Sequence, residues 1–96
     1  MSILLIGGHD RMHCHYRDIC DKCGHKVKVF TQFPKNFEKK IGNPDAMIIF
    51  TNTVSHKMVS VATNEAKRKD IPIFRCHTSS GVALERTIQE LEENLN

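Results

Sequence analysis

The chain has no tryptophan, one tyrosine and five phenylalanines, so aromatic residues make up only 6% of it. Without basic residues interleaved among exposed rings there is no base-stacking surface, and nucleic acid is not expected as a partner. No apolar run approaches the roughly 20 residues a membrane span needs. The opening MSILLIGGHD carries a short apolar run with no basic residue before it, which reads as a strand and not as a signal peptide. The G-x-G-x-x-G dinucleotide fingerprint is missing, and so is the phosphate loop with its Gly-Lys-Ser/Thr. No carboxylate pair or serine-histidine-acid set has support from spacing, which leaves hydrolase and oxidoreductase readings last. Four cysteines could form a disulfide framework only in a secretory context, and none is visible. They read as reduced thiols of a cytoplasmic protein.

What is present suits one small α/β domain over residues 1–96, with 40% hydrophobic and 26% charged residues. The net charge of +3 is unevenly spread. Residues 1–75 hold thirteen Lys and Arg against seven Asp and Glu, whereas residues 76–96 hold Arg86 against Glu85, Glu90, Glu92 and Glu93. A basic body with an acidic last helix favours anionic ligands or self-association.

Four short apolar segments bounded by turn signals read as buried parallel strands: Ile3–Ile6, Val27–Phe30, Ala46–Phe50, and Pro72–Phe74 with a residue or two beyond. Helical periods lie between them. Asp10 to Cys23 sets Met12, Tyr16, Ile19, Cys20 and Cys23 on one stripe, and Gly24 stops it. Ser55 to Lys69 groups Met58, Val59, Ala62 and Ala66, and Ser80 to Leu95 groups Leu84, Ile88, Leu91 and Leu95. A short helix follows Pro34, from Phe37 to Ile41. The tail Glu92–Asn96 is expected to fray. Alternation of strand and helix implies a three-layer, doubly wound parallel sheet of strand order 2-1-3-4, flavodoxin-like or Rossmann-like.

In such sheets ligands bind outside the carboxyl ends of the strands. Strand one delivers Gly7, Gly8, His9 and Arg11 there. Strand three delivers Asn52, Thr53, Ser55, His56 and Lys57, and strand four delivers Cys76, His77, Thr78, Ser79 and Ser80. Glycines allow close backbone approach, and hydroxyls beside helix N-termini suit a phosphate or carboxylate, although capping alone explains one serine. Six histidines in so short a chain are unusual. His9, His56 and His77 join Cys76 at this edge, where imidazole and thiolate could ligate zinc or haem iron. Adjacent residues at a strand end point to opposite faces, which separates Cys76 from His77 and leaves Cys76 readable as a small buried residue. Cys20-Asp21-Lys22-Cys23-Gly24-His25 resembles half a metal site. Both thiols lie on the apolar stripe, so core packing is the reading taken. Lys67-Arg68-Lys69 offsets the dipole at a helix end.

The segments GGHDRMHCHYRDIC, IIFTNTVSHKM and FRCHTSSGVALERTI together resemble the bacterial family called domain of unknown function 2325, from Ile3 to about Leu91. The matching motifs are Gly7-Gly8, Arg11-Met12 and Tyr16, then Asn52 through Met58, then His77 with Ser79-Ser80. The resemblance implies a Rossmann-like fold and a bacterial cytoplasm. It also implies haem and dioxygen binding, with His77, Cys76, His56 or His9 as axial ligand and Arg11 and Lys57 on the propionates. A domain this thin would share haem with a second copy, and a domain this small with a wide polar edge gains from pairing in any case, so a homodimer is expected. The alternatives are a small-anion or phosphoryl-carrier domain, with His9 or Cys76 as acceptor, and a protein-interaction module.

Overall fold

The computed structural model describes residues 1–95 and turns the apolar runs into four strands: β1 (Ser2–Ile6), β2 (Lys26–Phe30), β3 (Ala46–Phe50) and β4 (Ile73–Cys76). Their order is β2-β1-β3-β4, with every pairing parallel, as the alternation of strand and helix requires. Ile3 pairs with Val27 on one side and Ala46 on the other, and Phe50 pairs with Cys76. The helices are α1 (His13–Lys22), α2 (Phe37–Ile41), α3 (His56–Lys69) and α4 (Gly81–Leu95).

Alternate residues of the two central strands feed two cores. Ile3, Leu5, Ala46, Ile48 and Phe50 meet Tyr16, Ile19 and Cys20 of α1 and Leu84, Ile88 and Leu91 of α4. Leu4, Ile6, Met47 and Ile49 meet Phe37 and Ile41 of α2 and Met58, Ala62 and Ala66 of α3. Because β1 and β3 are covered on both faces, their sequences are continuous apolar runs rather than alternating ones. Burying each Leu or Ile side chain there contributes roughly 1.5–3 kcal/mol.

Four expectations are corrected. Full burial holds for the central strands only, since β2 and most of β4 are half-exposed at the sheet edges. The first helix opens as a 3-10 turn over Asp10–Met12 before α1 begins. Cys20 is buried but Cys23 is exposed, because α1 ends at Lys22 and Gly24 takes a φ of 80° just beyond it. The acidic tail stays helical through Leu95, with Asn94 Nδ2 donating to Glu90 O at 2.8 Å and Glu92 Oε2 lying 3.3 Å from His25 Nε2. Asn96 lies outside the described residues.

Candidate functional site

All four strands run the same way, so every strand-to-helix loop emerges at one edge. At that edge the loops are bonded to one another. Gly7 N–H donates to Phe30 O at 2.9 Å, and Gly8 N–H donates to Thr53 Oγ1 at 2.9 Å. Thr53 Oγ1 lies 2.6 Å from Ser79 Oγ. The backbone of the β1 loop, a hydroxyl from the β3 loop and a hydroxyl from the β4 loop thus form one chain of hydrogen bonds. Two hydroxyl hydrogens are available and one is used between the pair. Either oxygen can be the donor in that bond, so one O–H is left uncommitted within the pair.

Tyr16 is the strut beneath this chain. It is fully buried, its ring packs at a tilt of 39° against Phe50 with centroids 5.0 Å apart, and its hydroxyl donates to Ser79 O at 2.7 Å while accepting from His9 N–H at 3.4 Å. Burial holds the phenol above its ordinary pKa, so it remains a neutral donor. Glycine at position 8 follows directly: its φ is 88°, and a Cβ there would lie 2.7 Å from Tyr16 Cε2 and 3.1 Å from Phe50 Cδ2.

The serines divide their work. Ser80 Oγ accepts from Ala83 N–H at 3.2 Å and caps α4, Ser55 Oγ accepts from Met58 N–H at 3.2 Å and caps α3, and Ser79 is left for the loop bridge. Thr78 Oγ1 stands 3.3 Å from Ser80 Oγ. Arg11, Asn52, His56, Lys57, His77 and Thr78 are exposed around this centre, as is the His9 side chain. Cys76 differs from them. It is 5% exposed, and its Sγ donates to Thr78 O at 3.1 Å, so the thiol turns inward while the His77 side chain is exposed. Among the described residues no three His, Cys, Asp or Glu side chains converge as a metal-ligand set.

A fourth loop belongs to this edge. Asp10 accepts from Thr31 Oγ1 and, at 2.6 Å, from Gln32 Nε2, bonds that hold its carboxyl below the ordinary range. Lys57 Nζ sits 5.3 Å from the centroid of the Phe33 ring, which is 40% exposed. On the opposite flank α1 and α4 meet so closely that a Cβ on Gly81 would lie 2.7 Å from His15 Nε2. Thr31, Gln32, Phe33 and the strut role of Tyr16 were missed from sequence. The signal for the first three was available: a parallel sheet delivers the loop after strand two to the same edge as the others.

The edge is ringed by exposed side chains. Cavities of about 360 and 370 Å³ lie elsewhere, one beside β2 and the other among Met1, Asp45 and Leu95. No helix among the described residues is long and apolar enough to cross a membrane. A family model described as an uncharacterized protein conserved in bacteria, DUF2325, matches residues 2–91. No curated protein and no solved structure matches the chain.

Proposed function

Since the chain belongs to the bacterial family DUF2325, whose description names no activity, we propose from the site itself that it is a non-enzymatic ligand-binding module with regulatory output. It takes an anionic small molecule at the carboxyl edge of its sheet. The observation that carries this reading is the Gly8–Thr53–Ser79 chain. It ties three loops together, presents one uncommitted O–H, and lies between the capped N-termini of α3 and α4. Arg11, Lys57, His9, His56 and His77 ring it with positive or protonatable side chains.

Haem is the anion that would use the histidines as well. An iron porphyrin needs one or two imidazoles and not a three-ligand set, so three exposed histidines fit it. Arg11 and Lys57 suit two propionates. Haem, when bound, supplies an iron centre able to ligate dioxygen, and this chain supplies the imidazole and the cations. A domain this thin would cover one face of a porphyrin, and a second copy in a homodimer would cover the other. Cys76 serves this reading less well than the histidines, because its thiol turns inward. The same burial leaves His9 as the exposed acceptor if the edge carries a phosphoryl group instead.

The test is to titrate the purified chain with hemin, and separately with inorganic phosphate, following the amide resonances of Gly8, Thr53 and Ser79. The expected result is a saturable Soret band, weakened by His77→Ala, His56→Ala or His9→Ala, with all three amides shifted. Amide shifts with phosphate and no Soret band would keep the anion site and remove haem. No shift with either probe would remove the proposal.

A further inference from the structure

The register of the sheet leaves the outer side of β2 open in a specific way. Lys26 N–H donates to Met1 O at 3.0 Å, and Phe30 O accepts from Gly7 N–H at 2.9 Å. In a parallel pair, residues bonded to the neighbour alternate with residues facing away. Lys26, Lys28 and Phe30 therefore turn their backbone groups toward β1, and the N–H and C=O of Val27 and Val29 point out of the sheet. Beside them runs a groove of about 360 Å³ lined by Ser2, Arg17, Asp21, Lys26, Val27 and Lys28. The ion pairs among the described residues are His25–Glu92, Arg68–Glu65 and Lys69–Glu65. Arg17, Lys26 and Lys28 therefore have no carboxylate at ion-pairing distance.

Lysines on an outer strand ordinarily protect it from pairing with its own copy. Two β2 strands laid side by side would set lysine against lysine. The same lysines do not deter a strand of opposite charge. We propose that the β2 edge is a docking site for an extended acidic segment of a partner protein, added as a fifth strand.

The spacing defines the segment. Lys26 and Lys28 are two apart and share one face of the sheet, so carboxylates at alternate positions of the incoming strand would each meet a lysine. The residue between them would lie on the Val27 side, toward Arg17. A polypeptide fits better than a nucleic acid, whose phosphodiester offers no alternating N–H and C=O to the exposed backbone of Val27 and Val29. A second copy is a poor donor, because its own Glu90-Leu91-Glu92 spacing is locked in α4.

The experiment uses the full chain and a fluorescent nine-residue peptide alternating glutamate with valine. Anisotropy reads binding, and amide hydrogen exchange reads its mode. The expected result is binding that slows exchange at Val27 and Val29. The exposed pair of changes Lys26→Glu and Lys28→Glu should weaken it about tenfold or more and transfer preference to a lysine–valine peptide. Circular dichroism of that variant checks that the fold is kept. The proposal is overturned by binding without protection at Val27 and Val29, which would be charge attraction alone. Equal binding of the lysine–valine peptide to the unaltered chain would also overturn it, as would no binding or competition by an RNA oligonucleotide.

Discussion

The two ends of the sheet are held by different means. At the amino ends of the strands the polar ties are scattered: Ser2 N–H donates to Asp45 Oδ2 at 2.7 Å, Lys69 Nζ donates to Gly42 O at 2.7 Å, and His25, between α1 and β2, lies 3.0 Å from the amino group of Met1 and 3.3 Å from Glu92 of α4. At the carboxyl ends most of the ties share partners and are made by side chains of residues far apart in sequence. They join Gly8 to Thr53, Thr53 to Ser79, Tyr16 to Ser79, and Asp10 to Thr31 and Gln32. Closing a sheet needs only the first kind. The second fixes the positions of groups that secondary structure leaves free, which is the condition for a site organised before its ligand arrives.

A matched pair of glycines gives the sharpest test of that contrast. Gly8 and Gly24 both have φ near +80 to +90°, but a Cβ on Gly24 meets nothing within 4 Å, whereas on Gly8 it strikes Tyr16. Gly24→Ala should cost about 1 kcal/mol of stability through backbone strain alone. Gly8→Ala should cost about 3 kcal/mol or more and disturb the loop amides as well. Urea unfolding of both variants checks this, and equal losses would mean that the carboxyl end is no more tightly specified than a surface turn.

Tyr16→Phe keeps the ring against Phe50 and removes the hydroxyl shared by His9 N–H and Ser79 O. About 1–2 kcal/mol of destabilisation is expected, with amide exchange quickened in the loops after β1 and β4 and unchanged at Ser2 and Lys26. Uniform quickening across both ends would break the comparison. Smaller still is the coupling within the hydroxyl pair. A double-mutant cycle of Thr53→Val and Ser79→Ala should give about 0.5–1.5 kcal/mol.

The last prediction concerns acid and base. Asp10 is held below the ordinary carboxyl value of 3.8 by Thr31 and Gln32. Its contribution is therefore present above pH 3.8 and is lost as pH falls below that value. Cys20 acts at the other extreme. Burial pushes its thiol from 9.0 up to about 11, so its contribution is intact below pH 9 and is lost as pH rises from 9 toward 11. Chemical unfolding against pH should show a decline at each limit, the acid one reduced by Asp10→Asn and the alkaline one by Cys20→Ala; what remains belongs to Glu65, held low by Arg68, and to Tyr16 and Cys23, raised by burial.

The strands, the helices and their order were legible because each apolar period matched its element. Ile3–Ile6 and Ala46–Phe50 are apolar at every position, which is how strands covered on both faces read. Gly24 and Ser55 marked a helix stop and a helix start by known backbone chemistry. The convergence of three loops followed from the parallel topology alone. What escaped was anything fixed by which side chain meets which. Helical spacing places Cys23 on the apolar stripe, but α1 ends one residue earlier and α4 does not cover it. Ser79 and Ser80 are the same residue type at the same helix start, and only the position of Thr53 separates the bridging serine from the cap. Tyr16 shows an apolar stripe position in sequence, and the reach of its hydroxyl is a tertiary fact.

The Thr53–Ser79 pair has a further consequence. Two oxygens sharing one hydrogen bond make a reversible relay. When Thr53 donates, the uncommitted O–H belongs to the β4 loop, and when Ser79 donates, it belongs to the β3 loop. The reversal needs only two bond rotations and leaves the Gly8 bond intact. A bound molecule chooses the direction for itself, and either choice satisfies the pair. The relay therefore donates to an oxygen on either side, and more strongly to a charged one than to a neutral one. The rest of the discrimination by charge falls to the surrounding arginine, lysine and histidine side chains, where it is open to salt.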